Sequence, residues 1–244
     1  MPITKITMKS PLRWLGLLLG AILSLSCQIT EPTPAVMPTN AVPNAELTFL
    51  SLGDSYTIGE SVAENERWSV QLAAMLRDKK TNVQNPDIIA KTGWTTAELA
   101  AAIKQSGNAK QYDLVSLLIG VNNQYRGQSI GVYRTELQDL LKTAVRYAKN
   151  NPKRVFVLSI PDWGVTPFAR DRDRMKIATE IDAFNAACKE ECGKAGIAYF
   201  DITPASRTAA SDASLVASDQ LHFSGKMYRQ WAAQVLPSVE NLLK

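Results

Sequence analysis

Five short apolar runs alternate with longer stretches in which apolar residues recur every three to four positions, and this alternation organises the chain. The runs at 47–52, 86–90, 113–119, 155–160 and 197–202 predict strands, the second being the weakest. Most are apolar on both alternating sets of side chains, as expected where a sheet is covered on both faces. Between and after them the periodic stretches predict helices over 67–80, from Thr95 or Thr96 to Ile103, and over 130–150, 171–194 and 226–242. Trp68, Leu72 and Leu76 make the inner stripe of the first, and Thr followed by Glu98 is a capping signal for the second. In the third, Val132, Leu137, Leu140, Leu141, Ala144 and Val145 are expected on the inner side. Pro237 should kink the last helix or restart it, because proline lacks the N–H that a helix interior needs. Residues 203–219 read as a polar loop.

Strands alternating with helices define an α/β fold: a three-layer α/β/α sandwich around a five-stranded parallel sheet. Such sheets carry ligand groups at the carboxyl ends of the strands. The chain length suits one domain of this kind, with no internal repeat, and a monomer is expected.

The first 26 residues stand apart, with Lys5, Lys9 and Arg13, no acidic residue, an apolar run at 14–25 and the small residues Ser24 and Ser26. This is the pattern of a signal peptide, and the run is too short to span a bilayer comfortably. Cys27 follows directly and resembles the lipidated cysteine of bacterial lipoproteins, although Ser24 stands where that signal usually has Leu and Leu23 lies one position further back. Plain secretion, with cleavage at the same serines, is the alternative, and an uncleaved anchor the third. Residues 27–45, with Pro32, Pro34, Pro38 and Pro43, read as the anchor cysteine and a disordered linker, leaving 46–244 as the folded domain. Membrane association is expected through a lipid on Cys27, in the cell envelope of a bacterium.

Charge excludes one class of partner. Of 27 Lys and Arg, three lie in the signal, so 24 face 23 acidic residues in the remainder. No basic run offers a nucleic-acid surface. Cys188 and Cys192 are four apart on a helical face. They read as small core residues or as a bridge at a frayed helix end, and they have too few neighbouring ligands for a metal.

The candidate chemistry sits where the strands end: Ser55 after the first, Gly93 after the second, Asn122 after the third, with Asp219 and His222 in the last loop. A serine hydroxyl is a weak nucleophile that needs a base, a group to orient the base, and donors for an oxyanion. His222 is the single histidine of the chain, and Asp219 precedes it by three residues, close enough to fix its tautomer. Gly93 lets backbone approach a substrate, and Asn122 donates while staying neutral. Asp54 reads as a turn-holding residue. Thr57 occupies the second glycine position of the Gly-x-Ser-x-Gly elbow, which excludes that elbow here. No Gly-rich phosphate loop supports a nucleotide binder.

Four ordered blocks, Gly53-Asp54-Ser55-Tyr56, Gly93 in Lys-Thr-Gly-Trp, Gly120-Val121-Asn122 and Asp219-Gln220-Leu221-His222, resemble those of the SGNH (GDSL) hydrolase superfamily. The resemblance runs over 47–242 and implies a flavodoxin-like SGNH architecture without cofactor or metal. It implies Ser55 as nucleophile, His222 as base oriented by Asp219, and an oxyanion hole from the N–H groups of Ser55 and Gly93 and the Asn122 amide. The departure is Asn123, where many members have Asp. The implied activity is hydrolysis of small or medium carboxylic esters, such as an acetylated carbohydrate or a short acyl ester. The alternatives are a lysophospholipase or thioesterase, or a catalytically silent glycan-binding surface lipoprotein. The loop 161–167 with Trp163 either walls the substrate cleft or packs on the domain, and Arg126, Arg170, Arg172 and Arg174 read mainly as a solvated face.

Overall fold

A computed structural model describes residues 46–244. The expectations for the signal peptide, for Cys27 and for the linker lie outside the described residues.

The five strands form one parallel sheet in the order β2-β1-β3-β4-β5. They are β1 (Phe49–Gly53), β2 (Asp87–Ala90), β3 (Leu114–Leu118), β4 (Val155–Leu158) and β5 (Ala198–Phe200). Every residue of β1, β3 and β4 is buried, as the double-sided apolar runs require. Two groups of helices cover the sheet. In one, α2 (Trp68–Asp78) packs on α8 (Gly225–Leu242); in the other, α5 (Ile130–Tyr147) contacts both α3 (Thr96–Ser106) and α6 (Arg174–Ala195). The winding reverses between β1 and β3, and a crevice opens at such a switch point beyond the strand ends.

Thr95 caps α3, accepting from Glu98 N while the Glu98 carboxylate accepts from Thr95 N, so the capping signal resolves in favour of the first threonine. Two expectations are corrected, and of the two outcomes expected at Pro237 the restart is excluded. Val132 is 45% exposed, and Tyr133 is buried in its place, so the inner face of α5 runs through Tyr133, Leu137, Leu140, Leu141 and Ala144. α8 passes through Pro237 as a single element; Pro237 and Ala233, whose carbonyl loses its helical donor there, are both exposed to water. The stretch read as a polar loop contains a short helix, α7 (Thr203–Arg207), and two single turns of tighter helix. Two further short helices, α1 (Ser55–Ile58) and α4 (Val121–Tyr125), start directly after β1 and β3. Cys188 and Cys192 are buried free thiols. No helix among the described residues is long and apolar enough to cross a membrane.

Candidate active site

The turn that carries Ser55 is built by its neighbours. A Cβ on Gly53 would lie 2.2 Å from Thr57 Oγ1 and 2.4 Å from the Leu118 carbonyl, so only glycine lets β1 pass this closely between β3 and α1. Asp54 caps α1: its Oδ1 accepts from Tyr56 N at 3.1 Å, and its carbonyl accepts from Thr57 N and Ile58 N. This is the structural role expected of Asp54. Its Oδ2 has no hydrogen-bond partner among the described residues, and burial pushes its pKa up to about 7 against the Tyr56 N–H, which lowers it.

In the loop before α8, Asp219 and His222 share one turn. Asp219 Oδ1 accepts from the backbone N–H groups of Leu221 and His222 at 3.0 and 2.9 Å, and Oδ2 lies 2.5 Å from His222 Nδ1. Burial raises the Asp219 pKa, but donors from His222, Leu221 and Ser61 outweigh it and bring it to about 2. An ionised carboxylate only accepts, so Nδ1 carries the proton and Nε2 is left free to accept one. The ring is 7% exposed and packs edge-on to Tyr56 at 5.7 Å.

Gly93 and Asn122 are strapped to each other's segments. Asn122 Nδ2 donates to the Trp94 carbonyl at 3.0 Å, and Arg126 donates to the Gly93 carbonyl at 2.6 Å while pairing with Glu98 at 3.1 Å. One amide hydrogen of Asn122 is thereby engaged, and the second remains for a ligand. Gly93 has φ +86°, and the nearest protein atom to an added Cβ is 3.9 Å away. The glycine is therefore demanded by backbone conformation, and protein atoms do not crowd it. Behind Asn122, Asn123 is fully buried; its Oδ1 accepts from Thr96 N at 3.1 Å and its Nδ2 donates to Thr96 Oγ1 at 2.5 Å and to Gln128. The nearby carboxylate is supplied by Glu136, which bonds Thr96 and Gln128.

Ser55, Asn122 and His222 line one cavity of about 180 Å³, walled by Tyr125, Trp163, Phe168 and Leu221. Gly93 is not among the residues that line it and is tied to the site through Trp94, whose carbonyl takes the Asn122 amide, while Asp219 stands behind the imidazole. Among the described residues no hydrogen bond joins the Ser55 hydroxyl to His222; such bonds are commonly long before substrate arrives. Trp163 both packs and walls: it is 4% exposed, and its indole N–H donates to Gln124 Oε1 at 2.9 Å. Tyr125 and Trp163 also border an outer hollow of about 460 Å³.

The four arginines divide. Arg126 braces the Gly93 turn, Arg170 pairs with Asp171, and Arg174 bonds the Thr166 and Ala169 carbonyls. Arg172 lies over the rings of Tyr125, Trp163 and Phe168 at 5.4–5.8 Å. Tyr125, Phe168 and Ser61 were not singled out from the sequence. Tyr125 had a signal, lying three positions after Asn122 on one helical face, whereas Phe168 had none.

Fold and site together define an α/β protein in which a serine, a histidine and an amide line one cavity beside a parallel sheet. A profile of the GDSL-like lipase/acylhydrolase family matches residues 51–230, and the chain belongs to that family. Solved structures share the fold at low identity. A lipase/acylhydrolase from Enterococcus faecalis superposes with TM-score 0.62 at 17% identity, covering 81% of this chain and 97% of that one. TesA gives 0.63 at 17%, covering 80% and 99%. Axe2, an acetylxylan esterase from Geobacillus stearothermophilus, gives 0.60 at 17%, covering 79% and 94%. No curated protein matches the chain in sequence.

Proposed function

We propose that the protein is an exported serine esterase that cleaves small carboxylic esters through an acyl-enzyme on Ser55. The observation that carries the reading is the Asp219–His222 contact at 2.5 Å beside a cavity that Ser55, Asn122 and His222 share. In the reaction Ser55 Oγ attacks the ester carbonyl while His222 Nε2 takes its proton. The carbonyl oxygen, now negative, is held by the N–H groups of Ser55 and Gly93 and the free amide hydrogen of Asn122. The imidazolium returns the proton to the departing alcohol. Water, deprotonated by the same nitrogen, then releases the acid and restores the serine.

A cavity of about 180 Å³ is smaller than the roughly 300–1,000 Å³ pockets that enclose drug-sized ligands, and its size supports a short acyl group. The outer hollow, bordered by Tyr125 and Trp163, suits a polar alcohol portion such as a glycan. The solved acetylxylan esterase shares the fold, and acetylated carbohydrate is the first substrate class to test. Export and lipid attachment rest on the basic and apolar pattern ending at Cys27. Mass spectrometry of the mature amino terminus tests them: an acylated Cys27 is expected, and an unmodified Cys27 or a later start refutes the anchor.

A fluorophosphonate probe tests the chemistry. It should label the folded protein and not Ser55→Ala; an unlabelled folded protein removes the hydrolase reading and leaves glycan binding as the rival. A panel of p-nitrophenyl esters beside acetylated sugars and lysophospholipid then ranks substrates. A preference for long acyl chains would favour the lysophospholipase or thioesterase alternative.

A further inference from the structure

Asp219 receives four hydrogen bonds. Three come from its own turn: Leu221 N, His222 N and His222 Nδ1. The fourth comes from 158 positions away, where Ser61 Oγ donates to Oδ2 at 2.7 Å, the same oxygen that meets the imidazole. Ser61 lies six residues after Ser55, and the chain between them is held tightly: the Ser55 carbonyl accepts from Gly59 N and Glu60 N, each at 3.0 Å. Ser61 itself has φ +64°, a left-handed conformation that L-residues other than Gly, Asn and Asp rarely adopt. A serine kept there by the fold points to a use for its hydroxyl.

We propose that Ser61 is a positioning residue that locks the Asp219–His222 pair to the Ser55 turn. This rests on the acid–base reading of that pair given above. Without the link, the turn 219–222 keeps its internal bonds but loses a strap to the segment that bears Ser55. Its remaining backbone tie to a neighbouring loop is Phe168 N to the Gln220 carbonyl at 3.0 Å. Loss of one donor also leaves more negative charge on Asp219 to face Nδ1. The other titratable groups around the pair are Tyr56 and Tyr228, both held un-ionised by burial, with Asp54 and Asp162 acting on Tyr56 and Asp54 and Glu60 on Tyr228.

The test is Ser61→Gly in the full chain, because glycine fits φ +64° and removes only the hydroxymethyl group. With p-nitrophenyl acetate, kcat should fall about tenfold at unchanged KM, the acid limb of kcat/KM should move to higher pH, and the unfolding midpoint should not drop. Ser61→Asn tolerates the same backbone and offers an amide donor, so it should recover most of kcat. A second readout needs no turnover. The chain has one histidine, so the two imidazole 15N resonances are unambiguous. Ser61→Gly should shift the Nδ1 resonance while the Nδ1–H tautomer persists, because the carboxylate that faces it is less neutralised. Wild-type kcat, pH limb and 15N shifts in Ser61→Gly would overturn the inference. A wild-type protein inactive on every ester but with 15N shifts that respond to Ser61→Gly would sink the esterase reading and leave the link standing.

Discussion

Asp219 and His222 meet at 2.5 Å between Oδ2 and Nδ1, three positions apart in one turn, and the carboxylate stays ionised down to a pKa of about 2. The imidazole is thus held at Nδ1 by a group that shares its own loop. If this pair drives Ser55, then Ser55→Ala and His222→Ala each abolish nearly all ester hydrolysis. Asp219→Ala loses less, roughly 10²–10⁴ in kcat, since members of such a unit are non-additive. Asp212, engaged by Ser214 and Lys226, serves as the control. Asp212→Ala should keep near wild-type turnover, and an equal loss at both positions would overturn the choice of acid.

Asn122 offers one amide hydrogen to the cavity while the other is tied to Trp94. Asn122→Ala should lower kcat by about 10²–10³ with little change in KM, as for loss of an oxyanion donor. A change confined to KM would mean that the amide binds substrate and transition state equally.

Gly93 has room for a methyl group but not the backbone for one. Gly93→Ala should cost about 1–2 kcal/mol of stability through its positive φ and lower kcat by displacing the N–H. Unfolding and kinetic measurements on the same sample separate the two effects. Unaltered stability would show the turn relaxing to negative φ.

Asp54 gives a pH signature in folding. Its pKa rises from 3.8 to about 7 in the native protein, so the unfolded chain releases this proton first. The associated stability is complete below about pH 4 and is lost as pH rises through 7, with a limit of about 4 kcal/mol. Urea unfolding of wild type and Asp54→Asn at several pH values should show the wild type losing ground between pH 4 and pH 7. Parallel curves would mean that Asp54 titrates normally.

The long elements were legible because each leaves a repeated signal. Five apolar runs became five strands, even where β5 shrank to Ala198–Phe200. Ser55 and Asn122 were legible because each follows a strand end, and His222 because it is the single histidine, three positions after Asp219. What stayed hidden lacks periodicity or lies far apart in sequence. The single-turn helices α1 and α4 are too short to show a stripe; both follow a strand end and a tightly packed glycine, and only α1 has a side-chain cap, from Asp54. Val132 misled because on a helix a one-residue error turns a side chain by about 100°, enough to exchange it with Tyr133. Ser61 could not be found at all, since its partner is 158 residues downstream.

The two free thiols have a practical consequence. Cys188 and Cys192 sit inside α6, four positions apart, where a regular helix resists bridging them. The described domain therefore has no covalent staple, and its native state draws nothing from an oxidant. Production in a reducing cytosol, and assays with dithiothreitol present throughout, should yield the same fold as material made under oxidising conditions.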